Sequence, residues 1–411
     1  MVNMKELKFG LLAVVLLFCG VTMFTSCSSD DYPTVPDEQV VGAPRVLSMD
    51  YEAESKMKVY NIEYPSTDPF GKPVMLSGTI TVGDEVNSTS PALGLLLYNH
   101  FTIYRADQCP SKGELSVQRL VCGSGLITIS ADYYGFGITE DKQQAYCISS
   151  VNAQASVDAL LAAKKLLPEL GYSWNDDILF NAGYSQGGQT SMGVVRLIDE
   201  KYPDLHITYT FAGGGSYDIP QTYRDFIQSD VTGMPATVIS VLLAYNEYFS
   251  MGIPLSEIFI EPTLSHIDEW VLSKKYTNEE INEFVGSLNI SAFATPALLD
   301  LESGLSKRYF EVLEKDNLCK GWTPRKDEHI VLIHNASDIT VPSSNTVNMA
   351  AFLKAQGVED VNVMLNDYGT LPKLPAHETG ALVFVSAAVS QICSTLGINI
   401  WFKLSDVKLF N

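Results

Sequence analysis

The sequence predicts an α/β fold: a mostly parallel central sheet, helices on both faces, and a helical cap inserted late in the chain. Three observations lead there. Continuous apolar runs such as Ala92-Leu93-Gly94-Leu95-Leu96-Leu97-Tyr98 and Leu126-Ile127-Thr128-Ile129-Ser130 read as strands buried on both sides. Segments with apolar residues at helical spacing alternate with them, as parallel β-α-β units require. Between residues 217 and 320 that alternation stops, and only helical patterns follow one another.

The chain has 411 residues, 46% of them hydrophobic, which is ample material for a large core. A formal net charge of −21 repels nucleic acid and anionic lipid, so neither is expected as a partner. Residues 1–26 read as a signal peptide. Lys5 and Lys8 supply the positive end, Phe9 to Phe24 the apolar run, and Thr25-Ser26 the small residues before Cys27. That end resembles the lipobox of bacterial lipoproteins, with Phe24 where Leu is preferred. The resemblance implies that Cys27 is acylated and becomes the mature N-terminus. Ser28-Ser29-Asp30-Asp31 resembles the export tags of surface lipoproteins in some gram-negative bacteria. The expected location is therefore the outer membrane or cell surface of such a bacterium, with anchoring through Cys27 alone. Residues 27–45 hold Pro33, Pro36 and Pro44 without hydrophobic periodicity and read as a tether.

The α/β core is expected in two pieces, residues 46–216 and 321–411, around a cap at 217–320. Met57 to Ile62 and Val74 to Val82 partly alternate and read as an opening hairpin. The two apolar strands follow, then a helix over 151–169 ended by Gly171. Ile178-Leu179-Phe180 begins the next strand, and residues 190–200 a helix. His206 to Ala212 reads as another central strand. Within the cap, helices are expected over 236–249, 265–275, 278–288 and 306–315. Tyr245, Tyr248, Phe249, Met251, Ile253 and Phe259 there suit an apolar acyl or aryl pocket, although such residues are as often core. The sheet resumes at Ile330 to His334, with a helix over 343–356, a last strand at 361–365 and a long apolar helix over 379–396.

Five cysteines lie beyond the signal segment and Cys27: Cys109, Cys122, Cys147, Cys319 and Cys393. Cys109 and Cys122 are close enough to bridge, and buried free thiols are equally consistent. No metal-ligand spacing occurs, so neither a metal nor another cofactor is expected.

Gly183-Tyr184-Ser185-Gln186-Gly187-Gly188 sits between a strand and a helix, as a nucleophile elbow does. Gly183 and Gly187 remove side chains where the strand and helix crowd a tight turn. A serine hydroxyl needs a base, and the base needs an orienting acid. Of six histidines, only His377 follows the last strand on a loop. His329 and His334 flank or occupy a strand, where a structural role is expected. Asp338 follows the strand ending near His334 and is the preferred acid; Asp367 is the alternative. The backbone N–H of Gln186 and that of Phe101, in Asn99-His100-Phe101-Thr102, would hold the oxyanion.

Those motifs, with Asp132-Tyr133-Tyr134-Gly135-Phe136-Gly137 and Asp338-Ile339-Thr340-Val341-Pro342, occur in the order seen in secretory lipases, which are α/β-hydrolases. The resemblance covers roughly residues 55 to 400. It implies a serine esterase or lipase with Ser185, Asp338 and His377 as its triad, acting on a small-molecule, lipid or glycan ester. Phe101 departs from the usual glycine. Asp132 is expected to organise the loop beside the site. Two other readings are open: a serine peptidase of the prolyl-oligopeptidase type, for which no propeller-length repeat is present, and a non-catalytic ligand-binding lipoprotein.

Overall fold

The structure is a computed structural model that describes residues 41–113, 116–372 and 374–398. The signal segment, Cys27, most of the tether and the Cys122 side chain lie outside the described residues.

Nine strands form one sheet in the order β1-β2-β3-β5-β4-β6-β7-β8-β9. They are β1 (Arg45–Glu52), β2 (Met57–Thr67), β3 (Pro73–Gly83), β4 (Gly94–Asn99), β5 (Leu126–Ala131), β6 (Leu179–Tyr184), β7 (Tyr209–Gly213), β8 (His329–Asn335) and β9 (Asp360–Asn366). The first three strands join antiparallel, and β3 pairs antiparallel with β5. From β5 to β9 every pairing is parallel. The hairpin, the parallel centre and the strand sequence match the expected α/β-hydrolase architecture.

Helices cover both faces. On one lie α2 (Ser149–Glu169) and α3 (Gln186–Lys201); on the other lies the last helix, described below. Alternate residues of each central strand feed the two cores. Leu95 and Leu97 pack with Val157, Leu160 and Val194, while Leu96 and Tyr98 pack with Phe384 and Val385. Burying each such side chain stabilises the fold by about 1.5–3 kcal/mol. A continuous apolar run is thus what a strand with two covered faces needs.

Some boundaries differ from the sequence reading. The sequence reading placed no strand before Met57; β1 begins at Arg45 and pairs along β2. Leu47, Met49 and Tyr51 alternate with Ser48 and Asp50 along β1, but all five are exposed at the sheet edge. The short α1 (Ser116–Cys122) was also unexpected. Cys109, Cys147 and Cys319 are free thiols, so Cys109 forms no bridge to Cys122.

Between β7 and β8 the chain makes seven α-helices and adds no strand to the sheet among the described residues: α4 (Ile219–Ser229), α5 (Pro235–Tyr248), α6 (Leu255–Ile258), α7 (Thr263–Ile267), α8 (Asn278–Val285), α9 (Pro296–Leu299) and α10 (Gly304–Leu313). The buried Lys274 fastens this insertion to the body. Its ammonium donates to the carbonyls of Gly135, Glu140 and Lys142. After β8 come α11 (Ser344–Ala355) and α12 (Ala376–Leu396). Although α12 is long and apolar enough to cross a membrane, its Ala381, Phe384, Val385, Ala388 and Ile392 are buried in the core on the second face of the sheet.

Candidate active site

Ser185 stands at the turn from β6 into α3 with φ 60° and ψ −122°. A non-glycine residue reaches that conformation only when its surroundings enforce it. The enforcement is visible. The Ser185 N–H donates to Gly213 O at 2.8 Å, and the Ser185 carbonyl accepts from Gln189 N at 3.1 Å. A Cβ on Gly183 would lie 2.3 Å from Gly187 O, and one on Gly187 2.1 Å from Asn99 O. Both glycines are therefore demanded by close backbone approach. Gln186 opens α3, where N–H groups have no intrahelical acceptor.

His377 meets the serine from another element. Its Nε2 is 2.9 Å from Ser185 Oγ, and its Nδ1 is 2.5 Å from Asp338 Oδ2. A carboxylate oxygen accepts, so Nδ1 carries the proton and Nε2 is free to take one from the hydroxyl. His377 is not on a loop, as the sequence suggested. It is the second residue of α12, held there by Tyr184, whose hydroxyl donates to His377 O at 2.7 Å. Asp338 follows β8, and its Oδ1 accepts from Thr340 N (2.8 Å) and Val341 N (3.0 Å). Asp367 is elsewhere: it is exposed and bonded to Ser337 Oγ and Gly369 N.

The electrostatics agree with this arrangement. Burial alone would raise the Asp338 carboxyl, but the neighbouring His377 charge and hydrogen bonds from His334 and His377 hold it well below its ordinary value. Burial alone would lower His377; the Asp338 charge and hydrogen bond outweigh it and raise the imidazole above 6.5. Beside it Glu378 is buried, which pushes its carboxyl up against the pull of His377.

The loop after β4 lies against the elbow. Asn99 Nδ2 donates to Asn181 Oδ1 (2.8 Å) and Ser191 Oγ (2.9 Å), tying β4, β6 and α3 together. His100 stacks on Tyr133 with ring centroids 4.0 Å apart and places Nδ1 2.7 Å from Phe101 O. The Phe101 side chain packs against Ile103, Cys109 and Phe136. Asp132 anchors the neighbouring loop, accepting from Ser77 Oγ and Ser111 Oγ at 2.6 Å each.

A pocket of about 670 Å³ opens at Ser185 and Gln186. Its walls are Ile219, Tyr223 and Phe226 of α4, Val238, Val241 and Leu242 of α5, with Tyr146, Leu313 and Val341. None of the six cap residues expected to line it does so. Tyr245, Ile253 and Phe259 are core, and Tyr248, Phe249 and Met251 pack against that core. The α4 residues were missed, although Asp218 before Ile219-Pro220 is a helix-start signal and its side chain caps Gln221 N at 3.2 Å. Hydroxyls in the pocket wall face protein. Thr222 and Thr237 donate to the carbonyls of Asp218 and Met234, Tyr223 to that of Leu298, and Tyr146 pairs with Thr102. The surface left for a ligand is apolar. No cluster able to hold a metal ion occurs among the described residues.

The sheet order and its covering helices are those of an α/β-hydrolase fold. Neither a family model nor a curated protein matches the sequence. Solved structures do. A candidate hydrolase from Legionella pneumophila superposes with a TM-score of 0.73 at 19% identity, over 88% of this chain and 100% of that one. The rice cell wall degrading esterase LipA from Xanthomonas oryzae gives 0.70 at 21%, over 88% and 98%. Candida antarctica lipase A in its closed state gives 0.64 at 15%, over 89% and 84%. At such identities the likeness establishes the fold.

Proposed function

We propose that the chain is a serine hydrolase of carboxylic esters. One observation carries the reading: Ser185, His377 and Asp338 form a continuous hydrogen-bonded line that ends at the mouth of an apolar pocket. His377 Nε2 takes the Ser185 proton as Oγ attacks the ester carbonyl. Asp338 fixes the tautomer and stabilises the imidazolium. The N–H groups of Gln186 and Phe101 hold the oxyanion. The imidazolium protonates the departing alcohol, and water activated by His377 releases the acid. The apolar walls receive the acyl or aryl side of a small-molecule, lipid or glycan ester. Esterase and lipase activity among proteins of like fold supports this assignment. The chain is further proposed to be an exported lipoprotein anchored through acylated Cys27 at the outer membrane or cell surface.

A fluorophosphonate probe should label the protein, and Ser185→Ala should abolish labelling. Absence of labelling in folded protein would remove the enzyme reading and leave a binding lipoprotein. p-Nitrophenyl esters from acetate to palmitate, set against prolyl peptides, separate esterase from peptidase. Mass spectrometry of the N-terminus with Cys27→Ala as control tests the anchor.

A further inference from the structure

A second histidine contacts the same carboxylate. His334, at the end of β8, is fully buried, and its Nε2 lies 3.0 Å from Val341 O and 3.3 Å from Asp338 Oδ2. Its Nδ1 is 2.7 Å from Thr346 Oγ1 in the first turn of α11. A carbonyl and a carboxylate both accept, so Nε2 must carry the proton. Nδ1 then has only a lone pair to offer, and the Thr346 hydroxyl donates to it. Asp338 Oδ2 is thus shared between His377 Nδ1 and His334 Nε2, while Oδ1 takes two backbone N–H groups. Four donors, two backbone and two imidazole, thus face this buried carboxylate.

We propose that His334 is a positioning residue for Asp338: the two acceptors that face its Nε2 hold the proton there, and that N–H keeps Oδ2 turned toward His377. The inference rests on the reading of Asp338 and His377 as the acid and base. With the opposite tautomer, the Nε2 lone pair would face Val341 O and Asp338 Oδ2 at 3.0 and 3.3 Å, and repulsion would turn the carboxylate away from His377. Donation from His334 also drains charge from Oδ2, which moderates the attraction between Asp338 and His377. The groups that bear on His377 are Asp338, with His334 behind it, Glu378 beside it and the Tyr184 ring at 5.1 Å. His334 is absent from the pocket wall, so its influence should fall on kcat and not on KM.

The test uses the full chain, labelled with 15N-histidine, as wild type, Thr346→Val, His334→Phe and His334→Gln. Two-bond 15N–1H spectra should show His334 protonated on Nε2 in the wild type and also in Thr346→Val, whose methyl offers Nδ1 no acceptor. With p-nitrophenyl butyrate, His334→Phe should lower kcat about tenfold at unchanged KM, the loss expected for one hydrogen bond to a charged group, and Thr346→Val, which keeps the Nε2–H, should lose less. The acid limb of His334→Phe should move to higher pH, because an undrained Asp338 holds the His377 proton more tightly. His334→Gln, which restores a side-chain N–H, should recover most of both losses. An Nδ1-protonated His334 in the wild type overturns the proposal. So does a folded His334→Phe protein with wild-type kcat and acid limb. If the wild type carries the Nε2 proton but turns over no ester, the hydrolase reading falls and the hydrogen-bonded relay stands. Should His334→Phe fail to fold, His334→Leu takes its place in the same assay.

Discussion

Replacing Gly187 by alanine should separate assembly of the nucleophile from stabilisation of the oxyanion. The added Cβ would lie 2.1 Å from Asn99 O and 2.9 Å from His100 O. Ordinary contact begins near 3.4 Å, so the loop after β4 must retreat by about 1.3 Å. Asn99 resists, because its side chain is bonded to Asn181 and Ser191. The strain should lower stability by roughly 1–3 kcal/mol, the usual range for overpacking. The same loop carries the Phe101 N–H, and removing one oxyanion donor commonly lowers kcat by about 10²–10³-fold. Ser185 and His377 belong to other elements and should remain in contact. Gly187→Ala is therefore expected to bind p-nitrophenyl butyrate with little change in KM while kcat falls about 100-fold. Steady-state kinetics with a thermal melt on the same sample reads both effects. A variant with wild-type kcat would show that the loop after β4 does not hold the oxyanion.

Three further predictions follow from the site and its supports. Because His377 is raised above 6.5 and must be neutral to act, kcat/KM should fall with acid along a limb centred above that value; a centre below 6 contradicts it. The sign for stability is opposite. The folded imidazole holds its proton more tightly than the unfolded one, so this contribution is complete below pH 6.5 and lost as pH rises through the higher folded value. Val241→Trp should block the pocket and cut turnover of octanoate relative to acetate by roughly tenfold or more; an unchanged chain-length profile would place the acyl chain elsewhere. Lys274→Met leaves the carbonyls of Gly135, Glu140 and Lys142 without their donor and should lower Tm by several degrees, chiefly from the buried Gly135 carbonyl at about 1–3 kcal/mol, as calorimetry would show.

The strands were legible where burial is two-sided, since β4, β5 and β6 are continuous apolar runs with cores on either face. β1 was not read: Leu47, Met49 and Tyr51 alternate with Ser48 and Asp50, but this edge strand pairs along β2 with that apolar face exposed. Helical spacing located α5, α8 and α10, yet it says which residues share a face and not what that face meets. Tyr245 and Phe259 therefore turned out to be core, while Tyr223 and Phe226 wall the pocket. Ser185, Asp338 and His377 were readable from chain order. His334 was set aside as a strand histidine, and position in the chain gives no hint that its ring reaches a carboxylate four residues on.

The Tyr184 hydroxyl on His377 O has a consequence for how the protein diverges and fails. A residue of the elbow strand grips the first turn of the helix that carries the base, and Gly380 on that helix leaves room for the gripping ring: a Cβ there would lie 2.4 Å from the hydroxyl. Ser185 and His377 are registered to each other inside the sheet body, with no part of the 217–320 insertion intervening. That insertion is thus at liberty to change its sequence, and with it the compounds admitted, without disturbing the alignment of Ser185 and His377. On heating, the same coupling means that inactivation should track melting of β6 and α12, even if the insertion loosens first.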